Sequence, residues 1–271
     1  MIGQQVLITK FKELLDNDKL PRFILLVGKQ GSGKKTISKY IATLKNCNYV
    51  YCGIKVDEIR EIIQAAYTVT SPTIYIIPDA DSMSLAAKNA ILKVIEEPPN
   101  NAYFIMTLQD LNRTLDTIKS RGVVFYMDNY TVDEILQYTK SKYSISKEDE
   151  NVILNICETP YEVDTLVKQS CTEFMNYVQL VIDNIAEVSG ANSFKIADKI
   201  ALKNEEDKYD LILFWKAFMK ICSDKLTQEP IKYAHAIKVT SKYLQELFIT
   251  GINKQSTFDM WLLDIRSEWM E

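Results

Sequence analysis

The chain has 271 residues, 47% hydrophobic and 25% charged, with a formal net charge of −4. This is the composition of a globular chain of roughly two or three domains, and the negative charge argues against a dedicated nucleic-acid grip. No apolar run approaches the ~18 residues of a membrane span, and a single histidine, His235, in a helical stretch, gives no basis for a His-based metal site or a Ser–His triad. No charged-then-apolar leader opens the chain, so export is not expected. The five cysteines fit reduced, buried thiols in a cytoplasmic protein, although Cys47 and Cys52 have a spacing that allows a pair.

In chain order, Phe23–Val27 is a short apolar run that predicts a buried parallel strand. It leads into Gly28-Lys29-Gln30-Gly31-Ser32-Gly33-Lys34-Lys35-Thr36 and then a segment with helical spacing (Ile37, Ile41, Leu44). Strand, glycine loop and helix in that order predict a phosphate-binding loop. Gly28, Gly31 and Gly33 let backbone N–H groups converge on phosphate oxygens, the helix start adds positive dipole, and Lys34 supplies a point charge. The next position should carry the Ser or Thr hydroxyl that ligates Mg²⁺. Here it is Lys35, and Thr36 stands one residue late, about 100° around the helix.

Further strands are predicted at Tyr49–Tyr51, Thr73–Ile77, Ala102–Met106 and Val123–Tyr126. Helical patterns lie between them (Val56, Ile59, Ile63, Ala66; Leu85, Ile91, Leu92, Ile95), so the fold class is α/β with a parallel five-stranded sheet. Pro98-Pro99 ends a helix at Glu97. After the Thr73–Ile77 strand come Pro78-Asp79-Ala80-Asp81. A hydrolysing P-loop protein holds Mg²⁺ with a carboxylate at the first of these positions. Pro78 offers none, and Asp79 stands where a water-orienting Glu is usual; a one-residue slip that lets Asp79 serve the metal is the alternative. With both Mg²⁺ ligands missing, no metal is expected and hydrolysis in cis should be absent or negligible, while nucleotide binding stays open.

Gly3, Gly28, Gly31, Gly33, Gly53 and Gly122 precede residue 123, and only Gly190 and Gly251 follow it. Strands and loops therefore belong to the first half and helices to the second. Thr131 with Glu134 forms a capping box, Ser146 with Asp149 repeats it more weakly, and Thr159-Pro160-Tyr161-Glu162 repeats it with proline at the first helical position. These three starts predict a three-helix module. From Thr172 onward the periodicity is continuously helical: Phe174, Val178, Val181 and Ile185, then Leu211 to Leu226, then Phe258, Trp261, Leu262, Ile265 and Trp269. The aromatic stripe reads as core packing.

Several segments together resemble the bacterial clamp-loader AAA+ subunits over residues 1 to about 127. They are Ile2-Gly3-Gln4, Leu20-Pro21, the P-loop, Val56-Asp57-Glu58-Ile59-Arg60, Tyr75-Ile76-Ile77-Pro78-Asp79-Ala80-Asp81, Asn89 to Pro99, and Ile118-Lys119-Ser120-Arg121-Gly122. A weaker likeness runs on through the three-helix module, and Asn253 to Leu263 is similar to the family's last collar helix. The resemblance implies an AAA+ P-loop domain at 1–127, a three-helix lid at 128–170 and an all-α, oligomerising collar at 171–271. It also implies that Arg121, with Ser120 beside it, is an arginine finger acting in trans. Asp79 then marks a degenerate acidic motif.

Motor subunits of the family carry an arginine near the start of the third lid helix, and Glu158-Thr159-Pro160-Tyr161-Glu162-Val163-Asp164 contains none. The likeness is therefore to a subunit that keeps the Ser-Arg element and has a degraded ATP site. No cofactor is then required, ATP binding stays open, and zinc is not expected because the family's four-cysteine module is missing. The family's cysteine after Ser-Arg is Gly122 here, which should leave Arg121 in place and loosen the turn behind it. The implied partners are gamma/tau-like motor subunits and a delta-like subunit, with the sliding clamp and primed DNA met through the assembly, and no membrane. Two alternatives stand beside this: an active AAA+ ATPase in which Thr36 and Asp79 rescue Mg²⁺ binding, and a nucleotide-binding scaffold outside replication.

Overall fold

The computed structural model describes residues 2–185, 200–201, 209–247 and 253–269; Gly190 and Gly251 lie outside these. The chain divides into two compact units, Met1–Glu134 and Ile135–Glu271. Among the described residues no helix is long and apolar enough to cross a membrane.

The first unit is built on five strands: β1 (Phe23–Val27), β2 (Asn48–Tyr51), β3 (Thr73–Ile77), β4 (Ala102–Leu108) and β5 (Val123–Tyr126). They lie in the order β2-β3-β4-β1-β5, every neighbouring pair parallel. Parallel neighbours need crossovers, and helices α1 (Gln5–Asp16), α2 (Lys34–Leu44), α3 (Val56–Thr68), α4 (Leu85–Glu96) and α5 (Asp116–Lys119) supply them or pack beside them. Residues of each central strand alternate between two cores. Phe23, Leu25, Tyr75, Ile77, Phe104 and Met106 pack with Ile59 of α3, Ile91 of α4 and Ile118 of α5. Ile24, Leu26, Ile74, Ile76 and Ile105 pack with Phe11 of α1 and Ile37 and Ile41 of α2. The three central strands are buried throughout, which is why they read as unbroken apolar runs. Strand β4 runs to Leu108, past the predicted end at Met106, because Thr107 and Leu108 are also fully buried. In this topology β1, β3 and β4 end along one edge of the sheet, where the loops starting at Gly28, Pro78 and Gln109 gather.

The helix starts of the second half form where their hydroxyls predict. Thr131 and Glu134 make the reciprocal box of α6 (Val132–Lys142), with Thr131 N to Glu134 Oε2 at 2.9 Å and Glu134 N to Thr131 Oγ1 at 3.2 Å. Ser146 caps α7 (Lys147–Ile156), and Thr159 caps α8 (Pro160–Lys168) with Pro160 at its first turn. Then come α9 (Cys171–Asn184), α10 (Leu211–Asp224), α11 (Pro230–Glu246) and α12 (Lys254–Trp269). His235 lies within α11.

The expectation of unbroken helix after Thr172 needs correcting. Two short strands, β6 (Ile200–Ala201) and β7 (Tyr209–Asp210), pair in parallel before α10. Asp210 then turns the chain into α10, its Oδ1 accepting from Leu213 N at 3.0 Å. The aromatic stripe is core: Phe214, Trp215, Phe218, Phe258 and Trp261 are fully buried, and the Trp261 indole N–H donates to Thr240 Oγ1 at 2.9 Å. Cys47, Cys52, Cys157, Cys171 and Cys222 are all free thiols. Burial pushes Cys52 and Cys222 up to about 12 and Cys171 up to about 11, so none is poised as a thiolate nucleophile.

Candidate functional site

The phosphate loop forms between β1 and α2. At Gly28 a Cβ would come within 2.6 Å of Met127 Cβ, so only glycine lets the loop leave the sheet beside Met127. Gly31 (φ 76°) and Gly33 (φ 89°) hold left-handed turns that other residues adopt at a cost. Lys34 opens α2 but is turned back on the loop. Its Nζ donates to Gly28 O at 2.7 Å and to Lys29 O at 2.8 Å, and the residue is only 6% exposed. Burial lowers the Lys34 pKa, and the Asp79 and Asp81 carboxylates oppose that shift. The buried Ser32 Oγ has no hydrogen-bond partner among the described residues.

A second layer covers this loop, and residue patterns did not reveal it. Gln4 Nε2 donates to Asp128 O at 2.7 Å, while Asp128 N donates to Gln4 Oε1 at 2.8 Å. That two-way clamp joins the chain start to the segment after β5. Tyr130 then reaches over the loop, and its hydroxyl donates to Ser32 O at 3.1 Å. Its ring fills the space above Gly3, where an added Cβ would sit 2.5 Å from Cε1. Gly3-Gln4 was visible as a family signature, but its partners lie far along the chain.

The acidic side of the site does not fit a divalent metal. Pro78 follows β3 directly and has no side-chain donor atom. Asp79 adopts a left-handed backbone (φ 51°), its N–H donating to the buried Thr107 Oγ1 at 3.1 Å. Its carboxylate faces Lys35, with Nζ to Oδ2 at 3.6 Å. The residue that replaces the magnesium-binding hydroxyl thus pairs with the carboxylate nearest the site. Thr36 is exposed on α2. Asp81 is buried and spoken for, accepting from Gln109 N at 2.8 Å and Asp110 N at 3.1 Å, which fixes the loop after β4. A Mg²⁺ ion needs oxygen ligands in a near-octahedral set, and an ammonium and a proline stand where two of them belong.

Arg121 sits in the turn between α5 and β5, with Ile118 O accepting from both Arg121 N and Gly122 N at 3.2 Å. Its Nη1 donates to Thr117 O at 2.7 Å and its Nη2 lies 3.1 Å from Glu96 Oε2. Ser120 Oγ donates to the same Thr117 carbonyl at 3.2 Å. The space beside Gly122, where the family carries a cysteine, is filled by neighbouring side chains. A Cβ there would meet Leu25 Cγ at 2.8 Å and Phe23 Cε1 at 2.9 Å, so the core packs directly on the glycine.

The site residues therefore fall into two separate groups. Gly28, Gly31, Gly33, Lys34 and Asp79 gather at the C-terminal edge of the sheet. Ser120 and Arg121 precede β5, and the register sets Val123 beside Ile24, so Arg121 lies level with the chain entering β1. With the five residues of β1 between them, it lies about 20 Å from Gly28, too far for an arginine side chain to serve its own loop.

A family model described as DNA polymerase III, delta subunit, matches residues 52–131, a stretch that holds Asp79, Ser120 and Arg121. The gamma subunit of Buchnera aphidicola subsp. Schizaphis graminum is 28% identical over 171 residues, covering 52% of this chain and 47% of the relative. The tau subunit of Bacillus subtilis is 28% identical over 167 residues, 50% of this chain and 30% of the relative. Over about half its length the chain is thus similar to gamma and tau subunits of DNA polymerase III. It spans about half or less of the length of these curated relatives. Among solved structures, a DNA polymerase III gamma subunit-related protein of Thermotoga maritima superposes with a TM-score of 0.57 at 16% identity, covering 96% of this chain and 99% of the other. The RuvB Holliday junction branch migration motor of the same organism gives 0.53 at 16% identity, covering 84% and 76%. These two show a shared fold.

Proposed function

We propose that this chain is a non-hydrolysing, delta-prime-like subunit of a DNA polymerase III clamp loader. In that reading it is a stator: it sits in a hetero-oligomeric ring beside gamma/tau-like motor subunits and a delta-like subunit, and it supports ATP-dependent placement of the sliding clamp on primed DNA. Arg121 is the group it contributes, as a trans arginine finger with Ser120 shaping the turn beneath it. The observation that carries the reading is the split site. The P-loop side has Lys34 bound to its own carbonyls and Lys35 paired with Asp79. Arg121 stands at the opposite sheet edge, out of reach of its own loop, which supports a role toward a neighbour's phosphates. The three-part division into AAA+ domain (1–127), lid (128–170) and collar (171–271) belongs to the same proposal, as does a cytoplasmic location.

The test is reconstitution with the motor subunit of the same source, comparing wild type with Arg121→Ala. Arginine fingers contribute about 10³- to 10⁵-fold in rate, so clamp-stimulated ATPase from the site that Arg121 serves should collapse. Unchanged turnover refutes the finger. A motor reading has its own support, since the curated relatives are named gamma or tau. It requires ATP turnover by the purified chain that is lost in Lys34→Ala, and the proposal here expects none.

A further inference from the structure

We infer that Glu96 is the resting counter-ion of Arg121, holding the guanidinium against its own subunit until a neighbouring subunit's triphosphate displaces it. The inference rests on the finger reading above and assigns Glu96 the part of a positioning residue. Glu96 is the last residue of α4, and that end is fixed: Val94 and Ile95 are buried in the core, and Pro98-Pro99 follow after Glu97. Arg121 is fixed from the other side by Ile118, which is 1% exposed, and by the hydrogen bonds that close its turn. The two charged groups thus meet from rigid backbone positions.

Two tethers hold the guanidinium. Thr117 O accepts from Nη1 at 2.7 Å, and Glu96 Oε2 lies 3.1 Å from Nη2. An arginine has five N–H donors, so this leaves donors unspent, and Nε has no hydrogen-bond partner among the described residues. Thr117 supplies a neutral carbonyl from the same turn, so of these two tethers Glu96 is the one that opposes the charge. The pair is partly solvated, with the side chains 29% exposed at Arg121 and 57% at Glu96. Such pairs bias an equilibrium by only about 1.4- to 5-fold. That suits a catch that yields: it parks the arginine when no phosphate is present and gives way to the larger charge of a triphosphate.

The first test uses the chain alone. Phenylglyoxal modification of Arg121, followed by peptide mass spectrometry, is compared in wild type, Glu96→Gln and the neighbouring control Glu97→Gln. The expected result is modification about 1.4- to 5-fold faster in Glu96→Gln only. The difference should shrink near 1 M salt, where the screening length is about 3 Å. An unchanged rate in Glu96→Gln overturns the inference. The second test uses the reconstituted complex. Glu96→Gln should lower the KM for ATP by a similar factor with kcat held within about twofold, because the parked fraction no longer taxes engagement. A raised KM shows instead that Glu96 aims the finger outward, and it overturns the catch. Arg121→Ala separates the two ideas: if it leaves turnover unchanged, the finger reading falls and the catch with it. If it abolishes turnover while both Glu96→Gln readouts stay flat, only the catch falls.

Discussion

Lys35 and Pro78 occupy the two positions where Mg²⁺ ligands are expected, so restoring either one alone should achieve little. Lys35→Thr removes the ion pair with Asp79 but leaves proline at the carboxylate position. Calorimetry should therefore find ATP binding no more dependent on Mg²⁺ in Lys35→Thr than in wild type. Lys35→Thr combined with Pro78→Asp should tighten Mg²⁺-dependent binding by about tenfold or more, or ~1.4 kcal/mol. Tightening in the single variant would show that one ligand suffices. Gly122 gives a second residue-scale prediction. Gly122→Cys, which restores the family's residue, drives a side chain into Leu25 and Phe23. Overpacking of this kind costs about 1 to 3 kcal/mol, read as a lower urea midpoint. At this scale the glycine loop was legible because its residue types and spacing are the motif itself. The turned-back Lys34, the Gln4–Asp128 clamp and the Tyr130 cover were not, because the clamp and the cover join residues 124 and 98 positions apart.

Among elements, what was legible is what is local. The strands between Phe23 and Tyr126 and the helix starts at Thr131, Ser146 and Thr159 follow from apolar runs and capping hydroxyls a few residues apart. The β6–β7 pair escaped because two residues carry no periodicity. The junction of α6 with α8 escaped too, since it converges on one side chain. Asp164 accepts from Tyr138 Oη at 2.8 Å, Tyr143 Oη at 2.9 Å and Lys142 Nζ at 2.7 Å. Burial alone would raise the Asp164 pKa, but the hydrogen bonds from Lys142, Tyr138 and Tyr143 outweigh it and hold the carboxyl below its usual value. A depressed carboxylate contributes stability that is fully present above its unfolded pKa of about 3.9 and fades as pH falls through the lower folded value. Asp164→Asn should therefore cost about 1 to 3 kcal/mol at neutral pH. Urea titrations should show that deficit shrinking in acid below about pH 4. A deficit that is the same in acid as at neutrality would mean that the carboxylate charge is irrelevant to the junction.

For the whole molecule, the open matter is whether lid and collar, proposed as separate in function, are also separate in folding. The contacts point to a single cooperative unit. Helices α7, α8 and α10 pack with α9 or with one another, all within the unit that begins at Ile135. An ion cluster spans the proposed boundary near residue 170: Lys216 Nζ of α10 lies 2.7 Å from Glu162 Oε1 of α8 and 3.2 Å from Glu158 Oε2. The Lys216 and Glu162 side chains are only 16% and 13% exposed, so this is a desolvated pair. Burial would lower the Lys216 pKa, yet Glu162 and Glu158 keep it above the ordinary lysine value. Its contribution is therefore complete below the unfolded lysine pKa of about 10.4 and is lost as pH rises through the folded one. Lys216→Ala takes the cation away from Glu162 and leaves its carboxylate with the Glu158 N–H, at 2.7 Å; losing one partner of a buried pair costs about 3 to 5 kcal/mol. Hydrogen exchange followed by mass spectrometry should then show protection falling together in α8, α9 and α10 if the unit folds as one. Loss confined to α8 would mean that the lid opens by itself, and that the boundary near residue 170 is a folding boundary as well as a functional one.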